Sequence, residues 1–75
     1  MPITITMSKI NIIREITENI MEAADELRAK DQRDPLEQGQ LIAYAEALSI
    51  IQDAMAGYDL REISLDFDID ARYLY

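Results

Sequence analysis

The sequence predicts a mainly helical fold in which two long helices form an antiparallel hairpin. Apolar residues recur every three or four positions over residues 9–30 and again over residues 35–56, which is the spacing of one face of an α-helix. A short polar stretch, residues 31–34, separates the two. Because the helices have similar lengths and a short connection, we expect them to pack side by side in opposite directions.

The first helix is predicted over residues 9–30, which contain neither glycine nor proline. Ser8 is expected to cap its first turn, because a serine hydroxyl can accept a hydrogen bond from an otherwise unpaired backbone amide. The apolar face passes through either Ile16 or Thr17, and the spacing fits both positions. The other members of this face are Ile10, Ile13, Ile20, Ala24 and Leu27.

The second helix is predicted over residues 35–56 and begins at the clearest local signal in the chain. Asp34 can cap it, Pro35 suits the first helical position, and Glu37 can reach back to complete a capping box. Gly57 is expected to end the helix in a left-handed conformation. The predicted apolar face contains Leu41, Tyr44, Ala45, Leu48, Ile51, Ala54 and Met55.

After Gly57 the apolar spacing changes from the helical period to strict alternation. Residues 62–69 are therefore predicted to form a strand or an extended arm. On a strand, Leu65 and Phe67 would face the helices while the aspartates between them would face solvent. An arm without regular pairing competes with the strand, because aspartate is a poor strand former.

A second alternating stretch, residues 1–8, predicts an N-terminal strand or extension beside the first. The expected order is then β-α-α-β, followed by a tail over residues 71–75. We expect the whole chain of 75 residues to form one small domain. A chain of this length buries only about 60% of its unfolded surface, so we expect the hairpin to dimerise.

The composition argues against an enzyme, because the chain contains no cysteine and no histidine. Serine nucleophiles have no histidine to activate them, and zinc lacks its usual ligands. Asp66, Asp68 and Asp70 match the first positions of a calcium-binding loop, but Ala71 occupies the position where that loop requires glycine. We therefore assign no catalytic, cofactor-binding or metal-binding residues.

The charge of the chain is strongly negative and concentrated in its second half. The net charge is −8, and from Asp34 onward nine acidic residues accompany only two arginines. Such a surface repels nucleic acid and anionic membranes. We expect a soluble cytoplasmic protein that meets a basic protein partner.

The sequence-based hypothesis for function is a non-enzymatic protein–protein interaction module that forms a homodimer. An alternative is a phage or mobile-element inhibitor whose acidic C-terminal half mimics nucleic acid, and a third is a small-ligand or metal-binding enzyme subunit. Aromatic and arginine residues are favoured at interface hot spots. The predicted partner-binding residues are Asp59, Glu62, Asp66, Asp68, Asp70, Arg72, Tyr73 and Tyr75.

Overall fold

Two long helices dominate the computed structural model, which describes residues 7–74. Helix α1 comprises Met7–Arg28 and helix α2 comprises Pro35–Ala54. The two helices pack against each other as a hairpin-like pair, so the predicted helical pair is confirmed. Over the described range the chain is mainly helical and contains no strand.

The connection between α1 and α2 is fixed by side chains at both helix ends. Asp34 Oδ1 accepts a hydrogen bond from the Glu37 amide at 2.8 Å, and Glu37 Oε1 accepts one from the Asp34 amide at 3.2 Å. This confirms the predicted capping box. Glu37 also pairs with Lys30 across the connection, and this bond lowers the pKa of Glu37 and raises that of Lys30. Arg33 donates to the Leu27 carbonyl at 3.1 Å.

Two other predicted helix ends are wrong. Ser8 does not cap α1, because it lies inside the helix after Met7. Exposed serines are tolerated there although their side chains favour caps. Gly57 does not end α2, which stops at Ala54 and is capped by Met55 at a φ of −100°. Among residues 7–74, a left-handed backbone occurs instead at Ser64, at a φ of 62°.

The strand predicted over residues 62–69 is also wrong. The stretch consists of the end of a 3₁₀ helix (Leu60–Ile63), a turn at Ser64, a short extended stretch, and the start of helix α3 (Ile69–Tyr73). In place of a neighbouring strand, side chains form hydrogen bonds with backbone groups of this stretch. Gln52 of α2 donates two of these hydrogen bonds.

The predicted direction of the side chains in this stretch is nevertheless correct. Leu65 is buried and Phe67 is half-buried, whereas Asp66 and Asp68 are exposed. Successive side chains of an extended chain point to opposite sides whether or not the backbone pairs with a neighbour. The alternation therefore reports burial on one side and does not establish a sheet.

The predicted N-terminal strand over residues 1–8 lies mostly outside the described residues. Its last two positions, Met7 and Ser8, belong to α1. The β-α-α-β order is replaced, over the described range, by α1, α2, the 3₁₀ helix and α3. The predicted tail over residues 71–75 begins inside α3, and Tyr75 lies outside the described residues.

The chain after α2 folds back over one side of the hairpin, and we call residues 59–74 the C-terminal segment. Its 3₁₀ helix packs on α1, and α3 packs on α2. Between them, Gln52 Nε2 donates hydrogen bonds to the carbonyl oxygens of Leu65 and Phe67, each at 2.9 Å. The segment is thus a third layer that covers one side of the two long helices.

The three layers enclose a single apolar core. The C-terminal segment contributes Ile63, Leu65, Ile69 and Tyr73 to it. Thr17 is the one buried polar residue among the described positions. The helices contribute Ile10, Ala24, Leu41, Ala45, Leu48 and Met55.

Candidate functional site

The acidic residues predicted to bind a partner are all exposed to solvent. Asp59 and Asp68 have structural roles, because Asp59 accepts from the Arg61 amide at 3.0 Å and Asp68 from the Ala71 amide at 3.1 Å. These bonds cap the 3₁₀ helix and α3. Asp59 also pairs with the Arg61 guanidinium at 3.0 Å, and that hydrogen bond lowers the pKa of Asp59.

The carboxylates that remain in the predicted set are Glu62, Asp66 and Asp70, and each is exposed to solvent. Among residues 7–74, no three acidic side chains are grouped closely enough to hold a metal ion. The structure therefore exposes these carboxylates on the C-terminal segment and does not group them as metal ligands.

Arg72 and Tyr73, two of the residues predicted to contact a partner, bind Asp25 of α1. Arg72 Nη2 donates to both carboxylate oxygens of Asp25, at 3.1 and 3.0 Å. The Tyr73 hydroxyl donates to Asp25 Oδ1 at 2.9 Å. We call Asp25, Arg72 and Tyr73 the clasp, because they join the end of the C-terminal segment to α1.

Aromatic contacts reinforce the clasp. The Arg72 guanidinium carbon lies 5.0 Å from the centre of the Phe67 ring and 5.3 Å from that of Tyr73, within the range of cation–π attraction. The two rings meet edge to face at 6.5 Å. Tyr73 is only 4% exposed, so this ring is part of the core and not of the surface.

The fold makes the Tyr73 hydroxyl a weaker acid. Burial raises the pKa of Tyr73 to about 12, and the hydrogen bond to Asp25 adds to the shift. Both effects act in the same direction because each favours the neutral hydroxyl over the tyrosinate anion. The hydroxyl therefore stays protonated, as the hydrogen bond to Asp25 requires, throughout the physiological pH range.

The side of the hairpin opposite the C-terminal segment exposes several large apolar side chains. Leu36 is 72% exposed, Ile50 68%, Ile12 56% and Ile16 51%. We call this side the open flank. It follows the face of α2 that carries Leu36, Gly39, Ala43, Ala47, Ile50 and Ala54, and the adjoining face of α1 that carries Ile12 and Ile16.

The sequence contained one signal of the open flank, namely the ambiguity between Ile16 and Thr17. The structure buries Thr17 completely and leaves Ile16 half exposed. The Thr17 hydroxyl has no hydrogen-bond partner in its buried position. An apolar side chain thus faces outward while its polar neighbour faces inward, which is the reverse of what solvent alone would favour.

One end of the open flank forms an apolar groove between the two helices. The groove has a volume of about 260 Å³, slightly below the size of typical small-ligand sites. No charged residue lines it, and it is open along one side. Its lining residues are Ile13, Ile16, Ile50, Ile51, Ala54 and Met55.

Charged residues of α1 lie on another face of the hairpin. Glu18, Glu22, Asp25 and Glu26 line a shallow depression together with Met21 and Ala29. Their spacing of three or four residues places them along one stripe of the helix. The surface is therefore divided between an acidic side and an uncharged open flank.

None of the described helices combines the length and the apolarity needed to cross a lipid bilayer. Neither a protein-family model, nor a curated protein, nor a solved structure matches this chain.

Proposed function

We propose that this protein is a non-enzymatic protein–protein interaction module that forms a homodimer through its open flank. The observation that carries the proposal is the arrangement at the centre of α1, where Ile16 is half exposed and Thr17 is fully buried. Exposed apolar patches on a small protein mark sites of association. A second copy would cover the isoleucines that the C-terminal segment leaves open.

The negative charge restricts the orientations in which a second copy can occupy the open flank. Each chain carries a net charge of −8, so two copies repel each other at most orientations. Contact through the exposed apolar residues of the open flank avoids much of this repulsion, because these side chains carry no charge. The acidic faces of both copies then point outward, where they are available to a cytoplasmic partner with a basic surface.

Light scattering of the purified protein at micromolar concentration tests the proposal, and we expect about twice the mass of one chain. Ile50→Glu should reduce the mass to that of a single chain, because it places a charge in the apolar interface. Ile42→Glu is the matched control, since Ile42 is an exposed isoleucine on a different face of α2. A single-chain mass for the unmodified protein overturns the proposal, as does equal disruption by both variants.

Ionic strength provides a second readout of the same association. Added salt screens the repulsion between two acidic chains and leaves apolar contacts intact. We therefore expect the dimer to become tighter between low and physiological salt. A dimer that weakens as salt increases would assign the contact to ion pairs and not to the open flank.

A second candidate function is inhibition of a nucleic-acid-binding protein by mimicry of the phosphate backbone. The exposed carboxylates Glu62, Asp66 and Asp70 favour it. Affinity capture from native lysate, followed by mass spectrometry, tests it. A basic nucleic-acid enzyme that is captured by the unmodified protein, and lost when these three residues become amides, would support mimicry.

A further inference from the structure

Helix α2 carries its most exposed apolar side chain at one end and the apolar groove at the other. Leu36 lies at the start of α2. The groove surrounds Ala54 at the end of α2. The two positions are 18 residues apart, which corresponds to about 27 Å along a helix. A protruding side chain and a receiving groove at opposite ends of one helix suit an antiparallel contact between two copies.

We propose that the homodimer forms by antiparallel packing of α2 against α2 of the second copy, with the two-fold axis passing between Ala43 and Ala47. This geometry rests on the proposed dimerisation through the open flank and specifies how that flank is used. Each copy's Leu36 enters the apolar groove of the other copy. Because the contact is two-fold symmetric, this pairing occurs twice.

The spacing of residues along α2 supports the antiparallel register. Leu36 and Ala54 lie equally far from position 45, and so do Ala43 and Ala47. In an antiparallel pair with its axis at position 45, Leu36 therefore faces the second copy's Ala54. Ala45 itself is buried in the core of its own chain, so it does not obstruct the contact.

The small residues of α2 supply the space that the large ones need. A Cβ atom added to Gly39 would meet no neighbouring atom within 4 Å, so the surface above Gly39 is open. In the antiparallel register Ile50 of the second copy, which is 68% exposed in one chain, lies opposite position 40, so its side chain borders the open space above the neighbouring Gly39. Alanines at positions 43 and 47 let the two helices approach to the short end of the usual 8–10 Å range.

Replacement of Gly39 by leucine is a direct test. Within one chain the new side chain meets open space, and leucine is a better helix former than glycine. Gly39→Leu should therefore preserve or raise the helical content of the protein. In the dimer the added side chain would crowd Ile50 of the second copy, which lies beside it, so dimerisation should weaken by roughly tenfold or more. Gly39→Ala is the control and should change dimerisation much less.

Chemical cross-linking tests the orientation, because the chain has no cysteine. A mixture of the Leu36→Cys and Ala54→Cys proteins, treated with a short bis-maleimide, should give a mixed cross-linked dimer. Leu36→Cys alone should give none, since its two thiols are about 27 Å apart in the antiparallel dimer. Glu18→Cys provides a control on the acidic face of α1.

The outcomes separate this geometry from the proposed function on which it rests. If the unmodified protein is a monomer, both are overturned. A second outcome is a dimer that is dissociated by Ile50→Glu but not by Gly39→Leu, and in which Leu36→Cys cross-links with itself. In that case dimerisation through the open flank stands, and the antiparallel register is overturned. Weakening by Gly39→Leu together with the mixed cross-link supports both.

Discussion

The Tyr73 hydroxyl donates a 2.9 Å hydrogen bond to the carboxylate of Asp25, which joins α3 to α1 across 48 residues of sequence. The same carboxylate accepts two hydrogen bonds from Arg72. Asp25 therefore holds the end of the C-terminal segment against the hairpin. This segment in turn covers the core residues that face away from the open flank.

Loss of the Asp25 carboxylate should destabilise the protein. Asp25→Ala removes the acceptor shared by Arg72 and Tyr73, and we expect the free energy of unfolding to fall by about 1–2 kcal/mol. Urea denaturation measures this change. Glu22→Ala is the matched control, because Glu22 lies on the same acidic stripe of α1 and takes no part in the clasp. Equal midpoints for the two variants would show that the clasp contributes nothing to stability.

The clasp should also make stability depend on alkaline pH. The pKa of Tyr73 is raised from 10.0 to about 12 in the folded protein. A raised pKa means that the folded state holds the proton more tightly, so its contribution is complete below pH 10 and declines as the pH rises through 12. We expect the stability difference between the unmodified protein and Tyr73→Phe to be constant below pH 10 and to shrink above it. Urea denaturation at several pH values, with tyrosinate absorbance recorded in parallel, measures both effects, and a difference that stays constant up to pH 12 would contradict the shift.

Removal of the buried Thr17 hydroxyl should stabilise the protein. The hydroxyl is fully buried without a hydrogen-bond partner, and valine has nearly the same shape without the polar atom. Thr17→Val should therefore raise the free energy of unfolding by about 1 kcal/mol. Thr17→Ser keeps the hydroxyl and loses the methyl group, so it should lower stability. A thermal melt in which Thr17→Val unfolds below the unmodified protein would indicate that the hydroxyl is satisfied in solution.

The exposed aspartates of the C-terminal segment should differ in their effect on stability. Asp68 caps α3, so Asp68→Ala should cost about 1 kcal/mol, as loss of an N-cap does. Asp66 is exposed and belongs to no cap, and Asp66→Ala should leave stability within about 0.5 kcal/mol of the unmodified protein. Chemical denaturation of the Asp68→Ala and Asp66→Ala variants measures this difference in stability. Identical behaviour of the two variants would refute a capping role for Asp68.

The sequence by itself determined the two long helices and the turn between them, because both depend on local spacing. Apolar residues three and four positions apart share a helix face in any environment. The Asp34 and Glu37 side chains cap α2 through contacts within four residues of sequence. Such short-range information can be read directly from the chain.

The tertiary structure alone decided the positions that the spacing left open. Ile16 and Thr17 differ by 100° around α1, and either could have completed the core until the neighbouring layer was known. In the C-terminal segment, alternation predicted burial of Leu65 correctly, but it could not reveal that Gln52 would occupy the backbone carbonyls in place of a second strand.

The residues of the candidate site also show the difference between what the sequence predicts and what the tertiary structure decides. Arg72 and Tyr73 were predicted to bind a partner because arginine and aromatic residues are favoured at interface hot spots. Their partner, Asp25, lies on α1 and is brought close only when the C-terminal segment folds back. The open flank likewise became visible only after that segment had covered the opposite side. A residue's own spacing predicts its helix face, whereas its exposure depends on which distant segment packs there.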